Sequence, residues 1–241
     1  VVYTIYGAGR LLLSLPGLRH EAWRNRCLTV WAAMIAATLN LKIDVAGEPP
    51  KPPFFLVSNH LSYLDIIVLY RTLDCTFVSM REVRDWPVIG FMAKTLGILF
   101  IDRTDRADVR RVNQQISGAI DHYQGIVIFP EGTTSSGDRV RRFRSSPLEP
   151  AAASGLGVHY AAISYQTEPG DLPASESVCW WGRTSLATHI LKLTRNRGVR
   201  CRVQFGGEAL THSNRKELAD ALHTGVSRIY RSDRQRASAS M

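Results

Sequence analysis

The sequence predicts an α/β fold: a mostly parallel central sheet with helices on both faces, preceded by an N-terminal amphipathic helical attachment to the membrane. Three observations carry this prediction. Short apolar runs at 54–58, 76–79, 98–101 and 126–129 are separated by stretches of helical periodicity. Connections of that length bring the next strand back parallel to the last. Two polar segments, Asn59 to Asp65 and Phe129 to Thr133, stand where strands are about to end, the edge at which open α/β sheets bind ligands.

Taken in order, segment 1–15 is apolar apart from Arg10, reads as the tail of a spanning helix, and is broken by Pro16-Gly17. Over 20–41 the large apolar side chains Trp23, Cys27, Trp31, Met34 and Leu41 fall roughly on a helical stripe, with Arg19, Arg24 and Arg26 crowding its start. Trp beside Arg suits a membrane interface; a helix packed on the sheet is the alternative. Residues 41–45 alternate as a strand, 54–58 form a buried strand, 63–73 a helix and 76–79 a strand. Pro87 suits the first turn of a helix running to 96. A strand at 98–101, a helix at 107–123 stopped by Gly125, and a strand at 126–129 follow. Ser146-Pro147-Leu148-Glu149 combines a capping box with Pro at the first helical position. Strands at 158–164 and 201–205 and helices at 186–194 and 217–230 complete the set, and the polar tail from Arg231 reads as disordered. The implied organisation is a membrane-associating segment at 1–41, an α/β domain at 42–230 and a tail at 231–241.

A chain of 241 residues, 45% hydrophobic, suffices for one large domain. Its net charge of +9 predicts an anionic partner. Nucleic acid is set aside, because the aromatics are not interleaved with the basic residues as a stacking platform needs, and no DNA-reading motif appears. An anionic membrane surface remains, with Arg139, Arg141, Arg142 and Arg144 as a basic run. Cys27, Cys75, Cys179 and Cys201 lack the short paired spacings of a zinc site or disulfide framework, so no metal is expected and the thiols read as buried in a reducing compartment. The best apolar run, 28–41, would span about 21 Å as a helix, short of a bilayer. The predicted location is the cytoplasmic face of the cell membrane, held monotopically or by an N-terminal helix.

His60 and Asp65 are five residues apart, about 140° around an ideal helix. They meet only if His60 precedes the helix that holds Asp65, with Ser62 as a reasonable N-cap. The carboxylate then accepts an imidazole N–H, fixes the tautomer and leaves the other ring nitrogen basic, a general-base pair. Alone, such a pair is more often a chance surface turn. Ser62 has no nucleophile elbow around it. Asp102-Arg103 ends a strand with a cation at the crevice edge, and Gly132 leaves backbone N–H groups for an anion or oxyanion.

Asn59-His60-(four residues)-Asp65, the run Gly97 to Arg103, and Phe129-Pro130-Glu131-Gly132-Thr133, in this order, resemble the three leading motifs of the glycerolipid acyltransferase family typified by bacterial 1-acylglycerol-3-phosphate acyltransferases. The likeness runs over about 54–164, and three motifs each ending a predicted strand outweigh the chance reading of the His-Asp pair. The resemblance implies that His60, polarised by Asp65, deprotonates a lysolipid hydroxyl, which attacks the thioester of acyl-CoA or acyl carrier protein without a covalent acyl-enzyme. It assigns Arg103, Glu131 and Gly132 to the acceptor head group, with the motif neighbours Asn59, Ser62 and Thr133 in the substrate site. No cofactor is implied, the acyl thioester being a co-substrate. The implied acceptor is 1-acyl-sn-glycerol-3-phosphate, giving phosphatidic acid; another lysolipid such as lyso-ornithine lipid, or a non-catalytic basic lipid-binding module, is the alternative. Two departures bear on that choice: Thr134 stands where many phosphatidate-forming members carry Arg, and Val158 to Ala162 lacks the Pro of the family's fourth motif.

Overall fold

The computed structural model describes residues 20–85, 90, 98–101 and 125–230. Segment 1–15, the helix from Pro87, Asp102-Arg103, the helix at 107–123 and the tail from Arg231 lie outside them. Among the described residues, seven strands form one sheet in the order β1-β7-β6-β2-β5-β3-β4. They are β1 (Leu41–Ala46), β2 (Phe54–Ser58), β3 (Cys75–Met80), β4 (Leu99–Ile101), β5 (Gly125–Ile128), β6 (Val158–Thr167) and β7 (Val199–Phe205). All neighbours are parallel except β6 and β7, which run antiparallel.

Alternation along the strands divides the core between two faces. On one face Phe54, Leu56 and Val127 meet helices α1 (His20–Thr38), α2 (Leu64–Thr72) and α5 (Leu186–Leu193), together with the short α4 (Ala174–Ser177). On the other, Phe55, Val57, Ile126 and Ile128 meet α3 (Glu149–Ser154) and α6 (Arg215–Ile229). Helices therefore cover both faces, as the alternating pattern predicts. Gly125 opens β5 opposite Phe54, and a Cβ there would stand 2.0 Å from the Phe54 ring; the helix it is expected to stop lies outside the described residues.

The N-terminal helix corrects the expectation of an amphipathic attachment. Its Leu28, Ala32 and Ala36 enter the main core, while Val30 and Met34 are exposed on the far side. Met34, placed on the buried stripe by periodicity, faces outward, and Thr29 Oγ1 donates to the Tyr70 carbonyl of α2 at 3.3 Å. The inward stripe joins Leu28 to the small Ala32 and Ala36, with Trp31 and Ile35 packed against the same core. Among the described residues no helix is long and apolar enough to cross a membrane.

The expected capping box at Ser146 does not form. Ser146–Leu148 is a 3₁₀ turn without a side-chain cap, and Glu149 instead accepts from Arg215 of α6 at 2.8 Å. All four cysteines are buried thiols.

Strand length positions the site. β2 pairs with β6 only from Phe55–Val158 to Ser58–Ala161, but β6 continues to Thr167 on β7 alone. Its second half overhangs the end of β2 and walls the loop that follows. Because β2 also neighbours β5, with Val57 opposite Ile128, the loops after both strands emerge side by side at the carboxyl edge.

Candidate active site

The chain leaves β2 at Asn59, whose side chain continues the ladder: Nδ2 donates to the Ile163 carbonyl at 2.9 Å, and Oδ1 accepts from Ile163 N–H at 2.7 Å. Both ends of the amide are thus committed to β6, and the residue is buried. This corrects the assignment of Asn59 to substrate contact; it fixes where the His60 loop starts.

His60 follows, outside α2. Its Nδ1 lies 2.7 Å from Asp65 Oδ2 in the first turn of that helix, with the imidazole 19% exposed and the carboxylate fully buried. The same Oδ2 accepts from the backbone N–H groups of Leu61 at 2.7 Å and Ser62 at 3.1 Å, so Asp65 binds the peptide groups leading into its own helix. Ser62 accordingly is not the cap expected. Its Oγ is buried without a hydrogen-bond partner.

Asp65 Oδ1 accepts from the hydroxyl of Tyr165, on the overhang of β6, at 2.7 Å. Burial, followed by the neighbouring Asp65 charge, pushes the Tyr165 phenol well above its ordinary pKa and keeps it a donor. Phe129 stacks on the His60 ring at a centroid distance of 4.0 Å and 9° between planes, and itself stacks on Phe77. The His60 carbonyl accepts from Ser135 N–H at 3.0 Å, and the Leu61 carbonyl from Trp180 N–H at 2.8 Å. Tyr165, Phe129 and Ser135 went unassigned in the sequence. Phe129 sat inside a quoted motif, and Tyr165 one residue past the predicted end of its strand.

Glu131 is 5% exposed, and neither of its oxygens reaches a hydrogen-bond partner. Burial pushes its pKa up to about 8, although the amides of Arg141 and His60 lie close enough to pull it down. Asp65 raises it further and the Arg141 charge lowers it. Gly132 follows at φ +78°, the left-handed region that glycine enters without strain, and its N–H closes a turn onto the Phe129 carbonyl at 3.0 Å. Thr133 lies exposed on the same loop. The Arg139–Arg144 stretch is anchored where Arg144 N–H donates to the Pro130 carbonyl at 2.8 Å. The structure therefore brings His60, Asp65, Glu131 and Gly132 to one edge, while Arg103 lies outside the described residues.

An imidazole braced by a buried carboxylate, at the carboxyl edge of a mostly parallel sheet, marks the molecule as an α/β enzyme. A model of the Acyltransferase family matches residues 42–166, slightly more than half of the chain, and the protein belongs to that family. Its curated relatives include the lyso-ornithine lipid O-acyltransferase of Pseudomonas aeruginosa, 35% identical over 75% of this chain and 69% of that protein. The Rhizobium meliloti protein of the same name is 31% identical over 86% of this chain and 75% of its own. The 1-acyl-sn-glycerol-3-phosphate acyltransferase of Neisseria meningitidis is 26% identical over 95% of this chain and 90% of that protein. The fold is shared with the crystal structure of the 1-acyl-sn-glycerophosphate acyltransferase PlsC of Thermotoga maritima, with a TM-score of 0.60 and 20% identity over 93% of this chain and 88% of that one. The protein is an O-acyltransferase of the lysophospholipid acyltransferase family.

Proposed function

We propose that the enzyme transfers a fatty acyl group from acyl-CoA or acyl carrier protein to the free hydroxyl of a lysolipid, with lyso-ornithine lipid as the acceptor. The observation that carries the chemistry is the 2.7 Å contact between His60 Nδ1 and a fully buried Asp65. With Nδ1–H held by the carboxylate, Nε2 presents the lone pair. It takes the hydroxyl proton as the oxygen attacks the thioester carbonyl; the C–S bond then breaks and the thiolate leaves with a proton returned by the imidazole.

The acceptor is argued from two sides. Identity is higher to the lyso-ornithine lipid enzymes, 35% and 31%, than to the Neisseria lysophosphatidate enzyme at 26%. The loop chemistry agrees, because Thr134 supplies no phosphate-binding cation. Instead, a buried Glu131 and a guanidinium at Arg141 close enough to act on it offer one acid and one base. An ornithine head group carries the matching ammonium and carboxylate. On this reading Thr133 and the Gly132 turn border the head group, and the basic run 139–144 meets anionic lipid at the cytoplasmic face of the membrane.

The test presents the purified enzyme with a panel of lysolipids and one labelled acyl donor. Labelled ornithine lipid as the main product supports the assignment; preferential formation of phosphatidic acid replaces it with the lysophosphatidate reading.

A further inference from the structure

The overhang of β6 delivers one side chain to the reacting pair without touching its imidazole. Asp65 divides its two oxygens: Oδ2 takes His60 Nδ1 and the N–H groups of Leu61 and Ser62, and Oδ1 takes the Tyr165 hydroxyl. Both Tyr165 and Asp65 are buried. The three contacts on Oδ2 come from the loop that carries His60 itself, so they move with it. Tyr165 reaches the carboxylate from a different element 100 residues further along the chain.

We propose that Tyr165 is a positioning residue for acyl transfer, its hydroxyl holding the Oδ1 edge of Asp65 so that Oδ2 stays aligned with His60 Nδ1. Without it the carboxylate has no donor on one buried oxygen and is free to turn about its own Cβ–Cγ bond. A buried acceptor left unmatched is costly, and the cheapest relief is rotation of Oδ1 toward the loop amides, which breaks the line to the imidazole. The inference rests on the general-base reading of His60.

The phenol also sets how strongly the pair holds a proton. A neutral donor on the carboxylate spreads its charge; removing that donor concentrates charge opposite the imidazole and raises the proton affinity of the pair as a whole. Among the described residues the other titratable groups facing this site are Glu131 from the loop after β5, Cys179 after α4, Cys201 on β7 and Tyr230 at the end of α6. None of these side chains is exchanged in the experiment, so their contributions stay constant.

The test is Tyr165→Phe in the full chain, assayed with acyl-CoA and the best lysolipid of the panel. We expect kcat to fall about tenfold, with KM for both substrates within about twofold of wild type. The acid limb of the kcat profile, read at saturating acceptor so that ionisation of Glu131 on binding does not enter, should move to higher pH by roughly half a unit. In an Asp65→Asn background the same change should have no further effect on kcat. Should Tyr165→Phe fail to fold, 3-fluorotyrosine at 165 keeps the shape and strengthens the donor, and the acid limb should then move to lower pH. An unmoved acid limb in the folded variant, or an equal tenfold loss in the Asp65→Asn background, overturns the proposal. A His60→Ala enzyme that still turns over removes the base itself; an inactive His60→Ala beside an unaltered Tyr165→Phe removes only the role of Tyr165.

Discussion

The two loops at the carboxyl edge have the same origin and opposite states of completion. In the loop after β2 the groups that hold the reacting pair are matched: Asn59 on Ile163, Asp65 on four donors, the His60 and Leu61 carbonyls on Ser135 and Trp180. In the loop after β5, Glu131 is equally buried and has no hydrogen-bond partner for either oxygen. A matched network is rigid and suits a group that must hold one geometry through a reaction. An unmatched buried carboxyl is unstable by itself and gains most when a ligand arrives. On the proposed reading the first loop supplies the chemistry and the second the recognition.

The largest effect that tests this division is on the first loop. His60→Ala should lower kcat by about 10³-fold, within the range of general-base catalysis, while leaving acceptor binding to the protein measurable by isothermal calorimetry. Comparable losses of affinity and turnover would merge the two roles.

Glu131→Gln probes the second loop, and its signature is in KM. If Glu131 meets the ornithine ammonium, it must ionise on binding. Acceptor KM for the wild type should then rise as pH falls below about 8, by up to about tenfold per unit, and the Gln variant should lose that slope. A phosphate head group would instead use the protonated acid, and KM would rise above pH 8. Folding gives a second reading of the same group. Between 4.5, its ordinary value, and about 8, native Glu131 keeps a proton that the unfolded chain releases. Wild-type stability should therefore fall with rising pH across this window, by at most about 1.4 kcal/mol per unit, and the Gln variant should show a flatter urea midpoint.

The smallest effect concerns the membrane. Val30 and Met34 stand out from α1 on the side away from the core. Changing Met34 to Asp should leave thermal stability unchanged and weaken co-sedimentation with anionic vesicles by roughly fivefold, a charge near such a surface being worth about 1 kcal/mol. Undiminished binding would move the membrane contact elsewhere. Removing the whole helix is a poor substitute, because Leu28, Ala32 and Ala36 would leave the core with it.

Much of this architecture is legible in the residues. The buried runs of β2 and β5 and the polar turns after them state which strands carry the site, because a strand covered on both faces reads as a continuous apolar stretch. Strand direction is not written in periodicity, which is why the antiparallel turn of β7 against β6 is invisible there. Nor is strand overrun: 158–164 reads as the whole element, yet pairing with β7 carries it on to Thr167, and Tyr165 is found only in that extension. In α1 the contact face mixes Leu28 with Ala32 and Ala36, and a search for large apolar side chains picks Met34 on the opposite side. Ser62 shows the limit of local rules, since the Asp65 N–H that its hydroxyl would cap is taken by the Ser62 backbone carbonyl, and the hydroxyl is left without a partner.

The Asn59 contact with β6 is made to peptide groups alone, and peptide groups are the same whatever residue bears them. Position 163 is therefore open to exchange among apolar side chains of similar volume, as far as this contact is concerned. Position 59 is not: Asp has no donor for the Ile163 carbonyl, Gln is a methylene too long, and Ala has neither group. Drift at the strand and constancy at the loop are the pattern that such a one-sided contact imposes on descendants of this sequence.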